Sequence, residues 1–280
     1  MRKSTFVLFI LVTLVAAQAF AGVYFKSVTK TEGAQGEMGD STVKGWMSGD
    51  TGKVEFIESG SPITEAGSYL ITKDGGKTVY LVNPKEKSYM KWDMESMMGM
   101  AGGAMKMMNM KFSEPKVEKL GEDNGGLVAG LPTTHYKVRT SYSMEMKFMG
   151  MRKSSAIVTE EDIWSTSELV EAALGMWFKK NPPKTGDAQL DSLIAKQMDT
   201  VKGFPLKRIT VTTSTDEKGK SQVTKTVMEV KELQAMPVPA STFEIPAGYK
   251  ETQMFPAGEE GGEGAGENPF AKILGSKKKP

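Results

Sequence analysis

The sequence predicts an α+β protein with one dominant antiparallel sheet, and three observations support this prediction. Most of the chain consists of runs rich in aromatic and β-branched residues, many of which alternate with polar ones, as in strands with one buried face. Turn sequences such as Asp74-Gly75-Gly76 separate these runs at hairpin spacing. Helical periodicity is confined to three segments, which is typical of helices segregated from an antiparallel sheet.

The strand predictions cover most of the chain from Gly22 onwards. Asp-Gly pairs supply the positive backbone angles that tight hairpin turns require, so the runs on either side of each turn are expected to pair. The predicted strands are residues 22–32, two runs within 40–59, a meander of 69–72, 78–82 and 88–92, three strands within 131–166, and two long strands within 204–233.

Two helices are predicted in the C-terminal half. The segment Ser167–Asn181 has a serine at its start, an apolar face and two lysines before a Pro-Pro stop. The segment Asp187–Gly203 carries apolar residues at helical spacing, namely Leu190, Leu193, Ile194 and Met198.

The two ends of the chain predict export without an anchor. Residues 1–21 have a basic start, an apolar run and a small-x-small ending, so they are expected to be a cleaved secretory signal peptide. Residues 22–255 are expected to form a single domain. Residues 256–280 are rich in glycine and glutamate with a basic end, and we expect a disordered tail. A periplasmic or secreted protein without a transmembrane anchor is therefore predicted.

Composition excludes several classes of function. The 36 basic and 34 acidic residues give a net charge of +2, which does not favour a nucleic-acid partner. There is no cysteine, so disulfides, thiolate metal sites and acylated lipoprotein cysteines are excluded. The chain also lacks a glycine-rich phosphate loop. We expect no cofactor and no enzymatic activity.

The single histidine does not indicate catalysis. Alternation in "THYKVR" places His135 with Lys137 and Arg139, opposite Tyr136 and Val138, so its side chain is expected on the solvent face. Nearby, "TEEDIW" groups three carboxylates at adjacent positions, whereas a calcium loop needs alternating positions and a glycine. A solvated loop is the simpler interpretation of that segment. We assign no catalytic residues.

The most unusual segment is "MESMMGMAGGAMKMMNMKF", Met94–Phe112, which holds eight of the 21 methionines in nineteen residues. Read as a helix, it has an apolar stripe with 4-3-4-3-4 spacing: Met94, Met98, Ala101, Met105, Met108 and Phe112. The pair Gly102-Gly103 is expected to kink or interrupt this helix. A second group, Met144, Met146 and Phe148, alternates as on a strand.

Three interpretations of the methionines remain open. The helix could fill an irregular core, or its methionines could line or cover an apolar ligand cavity, since methionine repacks readily around variable shapes. The third is a Cu(I) site, because thioethers are soft ligands. The candidate copper ligands are Met105, Met107, Met108 and Met110.

Several motifs carry a family resemblance. The stretch Gly67–Met94, with its strand, Asp-Gly turn and "KTVYLVNP" strand, resembles periplasmic lipoprotein-carrier (LolA-like) proteins. The motifs "VAGLPTTHYKV", "EEDIWSTSEL", "GFPLKRITVTT" and "VPASTFEIPAGYKE" resemble, in that order, an uncharacterised bacterial family of exported proteins with the same predicted fold, a domain of unknown function.

The resemblance implies a strongly curved antiparallel sheet, an incomplete β-barrel, with helices packed as a lid on its concave apolar face. The expected function is binding of a lipid or other hydrophobic ligand, as a carrier, with a copper-binding protein or a structural or interaction protein of the cell envelope as alternatives. The expected partners are the hydrophobic ligand and envelope proteins. The candidate cavity and lid residues are Met94, Met97, Met98, Met105, Met108, Phe112, Met144, Met146 and Phe148.

Overall fold

The computed structural model describes residues 21–33, 39–61, 64–148, 151–169 and 184–253. The predicted tail, nearly all of the predicted signal peptide and most of the predicted helix at 167–181 lie outside these residues. Over the described part of the chain, thirteen strands join in one sheet and two α-helices lie outside it.

The strands agree with the sequence prediction over residues 21–93 and at the last hairpin. Their bounds are β1 Ala21–Gly33, β2 Ser41–Ser48, β3 Thr51–Ser59, β4 Tyr69–Thr72, β5 Thr78–Asn83, β6 Ser88–Asp93, β7 Lys111–Phe112, β8 Lys116–Val128, β9 Leu131–Phe148, β10 Met151–Thr166, β11 Phe204–Asp216, β12 Ser221–Pro237 and β13 Lys250–Thr252.

The helices are α1, Met94–Met107, and α2, Ala188–Thr200, and a short 3-10 helix covers Ala240–Phe243. Asp187 caps α2 by accepting hydrogen bonds from the backbone N–H groups of Gln189 and Leu190, each at 3.0 Å. The prediction of α2 is confirmed. In the part of the chain that the structure describes, no helix is both long and apolar enough to cross a membrane.

The sheet is curved, unclosed and almost entirely antiparallel. Its order is β13-β6-β5-β4-β3-β2-β1-β12-β11-β10-β9-β7, with β8 also paired to β9. The one parallel pair joins β13 to β6. The prediction of an α+β protein with one large antiparallel sheet is therefore confirmed.

Helix α1 explains why the sheet has to curve. It follows β6 near one edge of the sheet and precedes β7 at the opposite edge, with nine strands between them. Nine intervening strands make ten strand-to-strand spacings, which in a flat sheet would separate β6 from β7 by roughly 48 Å. The 14-residue helix is only about 21 Å long, and the three residues that follow add about 10 Å at most. The two edges must therefore approach each other.

One face of the sheet carries the main apolar core, and we call it the core face. Strand register places Phe25, Met47, Val54, Leu206 and Val230 on this face, where they form one buried cluster. The opposite face has a smaller core, in which the C-terminal segment from Val238 to Tyr249 packs over β4 and β5.

Helix α2 packs on the core face at the other end of the sheet. Val201, just after the helix, is buried with Tyr136, Val138 and Ile163, all of which point to this face. The Gln197 side-chain amide also donates a hydrogen bond to the Thr140 hydroxyl at 3.4 Å.

Several sequence predictions are wrong in detail. Residues 131–166 form two long strands instead of three, and β8 was not predicted at all, since its Gly, Glu, Asp and Lys residues have low strand propensity. The carboxylates of "TEEDIW" lie on β10 and not in a loop.

The helix predicted to reach Phe112 ends at Met107, because Asn109 has a positive φ of 45°, and Phe112 lies in β7. The Gly102-Gly103 pair does not interrupt α1.

Close packing on the core face generates a stability prediction. A Cβ added at Gly45 would lie 2.1 Å from the Phe25 ring, whereas one added at Gly99 of α1 meets nothing within 4 Å. We expect Gly45→Ala to lower the free energy of unfolding by about 1–3 kcal/mol, measured by urea denaturation. Gly99→Ala, the control, should leave it unchanged or raise it by up to about 1 kcal/mol. Equal stability of both variants would contradict this packing.

Candidate functional site

The start of α1 is fixed to the β5–β6 edge of the sheet. The Met94 N–H donates to the Lys77 carbonyl at 2.9 Å, and the Asp93 carboxylate accepts from the Ser96 N–H at 2.7 Å as the helix N-cap. Hydrogen bonding from the Ser96 backbone and side chain holds the pKa of Asp93 below its usual value. The charged cap also suits the positive end of the helix dipole.

The other end of α1 is fixed to β9. The Lys147 N–H donates to the Met108 carbonyl at 3.2 Å, and the Met110 N–H folds back to the Met105 carbonyl at 2.9 Å. The helix therefore crosses the opening between the two edges of the sheet and is held at both ends by backbone hydrogen bonds.

Between its ends, α1 is little buried. Gly102 is its one buried residue, Met100 and Met107 are 58% and 81% exposed, and the remaining helical methionines are partly exposed. Four of the six helical methionines, Met94, Met97, Met98 and Met105, are therefore mostly covered without being fully buried. The three interpretations of the methionines stay predictions.

Gly102 is buried because it touches the segment that leads into α2. A Cβ at this position would lie 2.0 Å from the Thr185 carbonyl oxygen. Thr185 is held in turn by Asp191, whose carboxylate accepts hydrogen bonds from the Thr185 N–H and hydroxyl, both at 2.7 Å. Burial raises the pKa of Asp191, but these hydrogen bonds outweigh it and lower the pKa overall. The two helices thus meet through one close backbone contact.

A groove of about 410 Å³ lies where β7 pairs with β9 and faces the β11–β12 turn. Phe112 and Met144 are direct partners across these strands and both line it. The Tyr142 ring lies 6.3 Å from the Phe112 ring, and burial raises the pKa of Tyr142. Two of the predicted cavity residues, Phe112 and Met144, are therefore brought together.

A second apolar surface was not predicted and lies on the core face near α1. Strand register places Val54, Leu70, Leu81 and Met90 in one row across β3 to β6, and Val79 beside Trp92 in the next. Val54 and Leu81 are buried, whereas Leu70, Val79, Met90 and Trp92 stay partly exposed. Alternation in these strands could have suggested this face, but only the register shows that the residues are adjacent.

Further along the core face the lining becomes polar. Arg208 of β11 lies next to Met228 on one side and Ile163 on the other. Its Nε is 3.8 Å from a carboxylate oxygen of Glu161, which also accepts a hydrogen bond from the Thr210 hydroxyl at 3.3 Å. Sequence reasoning missed this charged pair, because alternation does not show which side of β11 faces inward.

His135 lies on the opposite face, as predicted, while Tyr136 and Val138 are buried on the core face. Its ring stacks on Trp164 at 4.3 Å, and its two nitrogens lie 3.1 and 2.8 Å from Asp123 and Asp162. Although the face is correct, the side chain is only 11% exposed. This arrangement links β8, β9 and β10.

The remaining predicted site residues are placed as follows. Met146 is on β9, two positions beyond Met144, and the Phe148 side chain lies outside the described part of the structure. Of the candidate copper ligands, Met105, Met108 and Met110 are partly exposed and Met107 is the most exposed. Among described residues, no group of three His, Asp or Glu side chains is placed to hold a metal ion. Copper binding by thioethers stays a prediction.

Comparisons with known proteins identify the family of the chain and a weak structural likeness. The family described as "Domain of unknown function (DUF4412)" matches residues 32–249. A crystal structure of a LolA superfamily protein from Nitrosomonas europaea is 8% identical over 80% of this chain and 90% of that one. Its TM-score of 0.33 is too low to support an argument about function. No curated protein matches the chain.

The contact between Gly102 and Thr185 generates the second prediction. We expect Gly102→Ala to push α1 away from the segment leading into α2, because the added methyl meets a backbone carbonyl that cannot rotate away. Hydrogen exchange followed by mass spectrometry should show faster exchange in α1 and around Thr185. The control is Gly103→Ala, whose methyl meets nothing within 4 Å. Unchanged exchange in Gly102→Ala would show that the helices are not coupled.

Proposed function

Since the chain belongs to the DUF4412 family, a domain of unknown function, we propose a function from its own residues. The protein is a non-enzymatic carrier that binds a lipid or other hydrophobic ligand on the concave face of its curved sheet. We take the core face to be the concave one. The methionines of α1 and the groove at Phe112 and Met144 border the opening through which the ligand enters.

The observation that carries this proposal is the row of apolar side chains on the core face of β3 to β6. Leu70, Val79, Met90 and Trp92 are adjacent, point to the same face as the main core, and remain partly exposed. Contiguous apolar surface that stays accessible is typical of ligand-binding and interaction sites.

Helix α1 is suited to cover such a ligand. It is held at its two ends and at Gly102, and none of its other side chains is fully buried. Displacing it would therefore uncover no fully buried side chain of its own. Methionine side chains can also repack around acyl chains of different shape, which favours a cover that tolerates several ligands. In this proposal α1 and α2 form the lid.

The proposal places the protein outside the cytoplasm. Residues 1–21 have the features of a cleaved signal peptide, so the mature protein is released into the periplasm or the medium. A carrier in that compartment moves hydrophobic molecules through water between membranes or envelope proteins. The basic end of the tail, Lys277–Lys279, suits contact with an anionic membrane surface.

The third prediction tests ligand binding directly. Mature protein purified without detergent should contain extractable lipid by mass spectrometry and should bind a fluorescent fatty acid. We expect Leu70→Gln combined with Met90→Gln to weaken that binding roughly tenfold or more, because two apolar contacts are lost. The control is Val223→Gln, which changes an exposed valine on the opposite face of β12. Absence of both lipid and fatty-acid binding in the unaltered protein would refute the proposal.

The fourth prediction separates lipid binding from copper binding. Replacing Met105, Met107 and Met108 by Leu removes three thioethers but keeps the apolar surface. We expect this variant to bind the fluorescent fatty acid within about twofold of the original protein. A Cu(I) competition titration should show no tight stoichiometric binding in either form. Tight Cu(I) binding that the three leucines abolish would instead support the copper function.

A further inference from the structure

We propose that Arg208 binds the anionic headgroup of the ligand, so that the preferred cargo is an amphiphile carrying a carboxylate or phosphate. This inference rests on the proposed function, since it assumes that an acyl chain occupies the core face. It adds an orientation to the bound molecule: the headgroup lies at β11, and the chain extends past β12, β1 and β2 towards the partly exposed apolar row of β3 to β6.

The position of Arg208 supports this orientation. Its neighbour across the β11–β12 pair is Met228. The next residue towards the core is Leu206 on β11 and Val230 on β12. Beyond them on the same face lies Phe25 of β1. Arg208 therefore lies at the boundary where the apolar part of the core face gives way to threonines such as Thr210.

The guanidinium has unused hydrogen-bonding capacity. Its side chain is 43% exposed, yet its Nε is fully covered and makes no hydrogen bond. Within the described residues its one charged contact is Glu161, at 3.8 Å, which is too long for a hydrogen bond. Covered N–H donors without acceptors are rare in proteins, so this one calls for an explanation. A headgroup on the exposed terminal nitrogens could draw the guanidinium away from Glu161.

The second covered donor without an acceptor also lies on the core face. In the part of the chain that the structure describes, the two such side-chain atoms are Arg208 Nε and Trp92 Nε1. Strand register places both on the face that carries the apolar row. Trp92 lies on β6 and Arg208 on β11, seven strand-to-strand steps apart, so the headgroup is expected to contact Arg208 alone.

Charge complementarity selects an anion over other headgroups. Arginine presents a planar fork of donors that matches carboxylate and phosphate oxygens in two parallel hydrogen bonds. Glu161 lies beside it and reduces the positive field, so it should weaken the binding of an anion. The affinity of this site for an anionic headgroup should therefore depend on both Arg208 and Glu161.

The fifth prediction compares oleate with oleyl alcohol, which has the same chain but no charge. Both are titrated against the detergent-free, delipidated mature protein by displacement of a fluorescent fatty-acid probe. We expect oleate to bind about tenfold or more tightly than the alcohol. Arg208→Met should remove this preference while leaving the alcohol affinity unchanged, and Arg208→Lys should restore part of it. Glu161→Gln should strengthen oleate binding roughly two- to fivefold.

The matched control is Arg139→Met, which removes an arginine from the opposite face of β9, where it pairs with Glu160. It should change neither affinity. If oleate and the alcohol bind equally and Arg208→Met has no effect, the headgroup assignment is wrong while lipid binding stands. If acetate alone displaces oleate at similar concentrations, the site binds free anions and the amphiphile assignment is overturned. If neither ligand binds, the proposed function itself is refuted.

Discussion

The structure depends on one constraint, the short connection between opposite edges of a large sheet. Helix α1 leaves β6 and is followed within a few residues by β7, although nine strands lie between these two in the sheet. Because a helix of this length spans far less than the width of a flat sheet, the sheet must bend until its edges approach. The curvature, the opening and the position of the methionine-rich helix across that opening all follow from this connection.

The bend gives the two faces different roles. On the face that carries the main core, apolar residues of β1, β2, β3, β11 and β12 converge into one buried cluster, while those of β4 to β6 are left partly uncovered. On the opposite face the C-terminal segment around Phe243 covers β4 and β5 and closes a separate small core. Within the described residues, the chain itself covers one face, whereas the other retains partly exposed apolar side chains. That difference underlies the proposed ligand site.

The sequence predicted correctly those parts of the fold that depend on neighbouring residues, and it missed those that depend on distant ones. The strands around Asp74-Gly75-Gly76 were predicted almost to the residue, because alternation and turn chemistry are properties of neighbouring residues. Strand β8 was missed, because its residues have little strand propensity and it forms by pairing with β9. The end of α1 was also wrong, since Asn109 adopts a left-handed conformation where the chain turns to join β9. Of the candidate site, Phe112 and Met144 were named from sequence and lie together, whereas Leu70, Met90 and Arg208 were not.

The sequence by itself determined the strands over residues 21–93 and in the last hairpin, α2, the start of α1 and the concentration of methionine in one helix, because these depend on patterns within a few residues. Only the tertiary structure decided which side of each strand faces inward. Alternation along β11 puts Leu206 and Arg208 on one face and Lys207 and Ile209 on the other, but it does not show which face is inward. The bend of the sheet and its pairing with β10 and β12 place Leu206 in the core and Arg208 beside it. A charged residue can therefore lie at the edge of an apolar surface that no local pattern in the chain reveals.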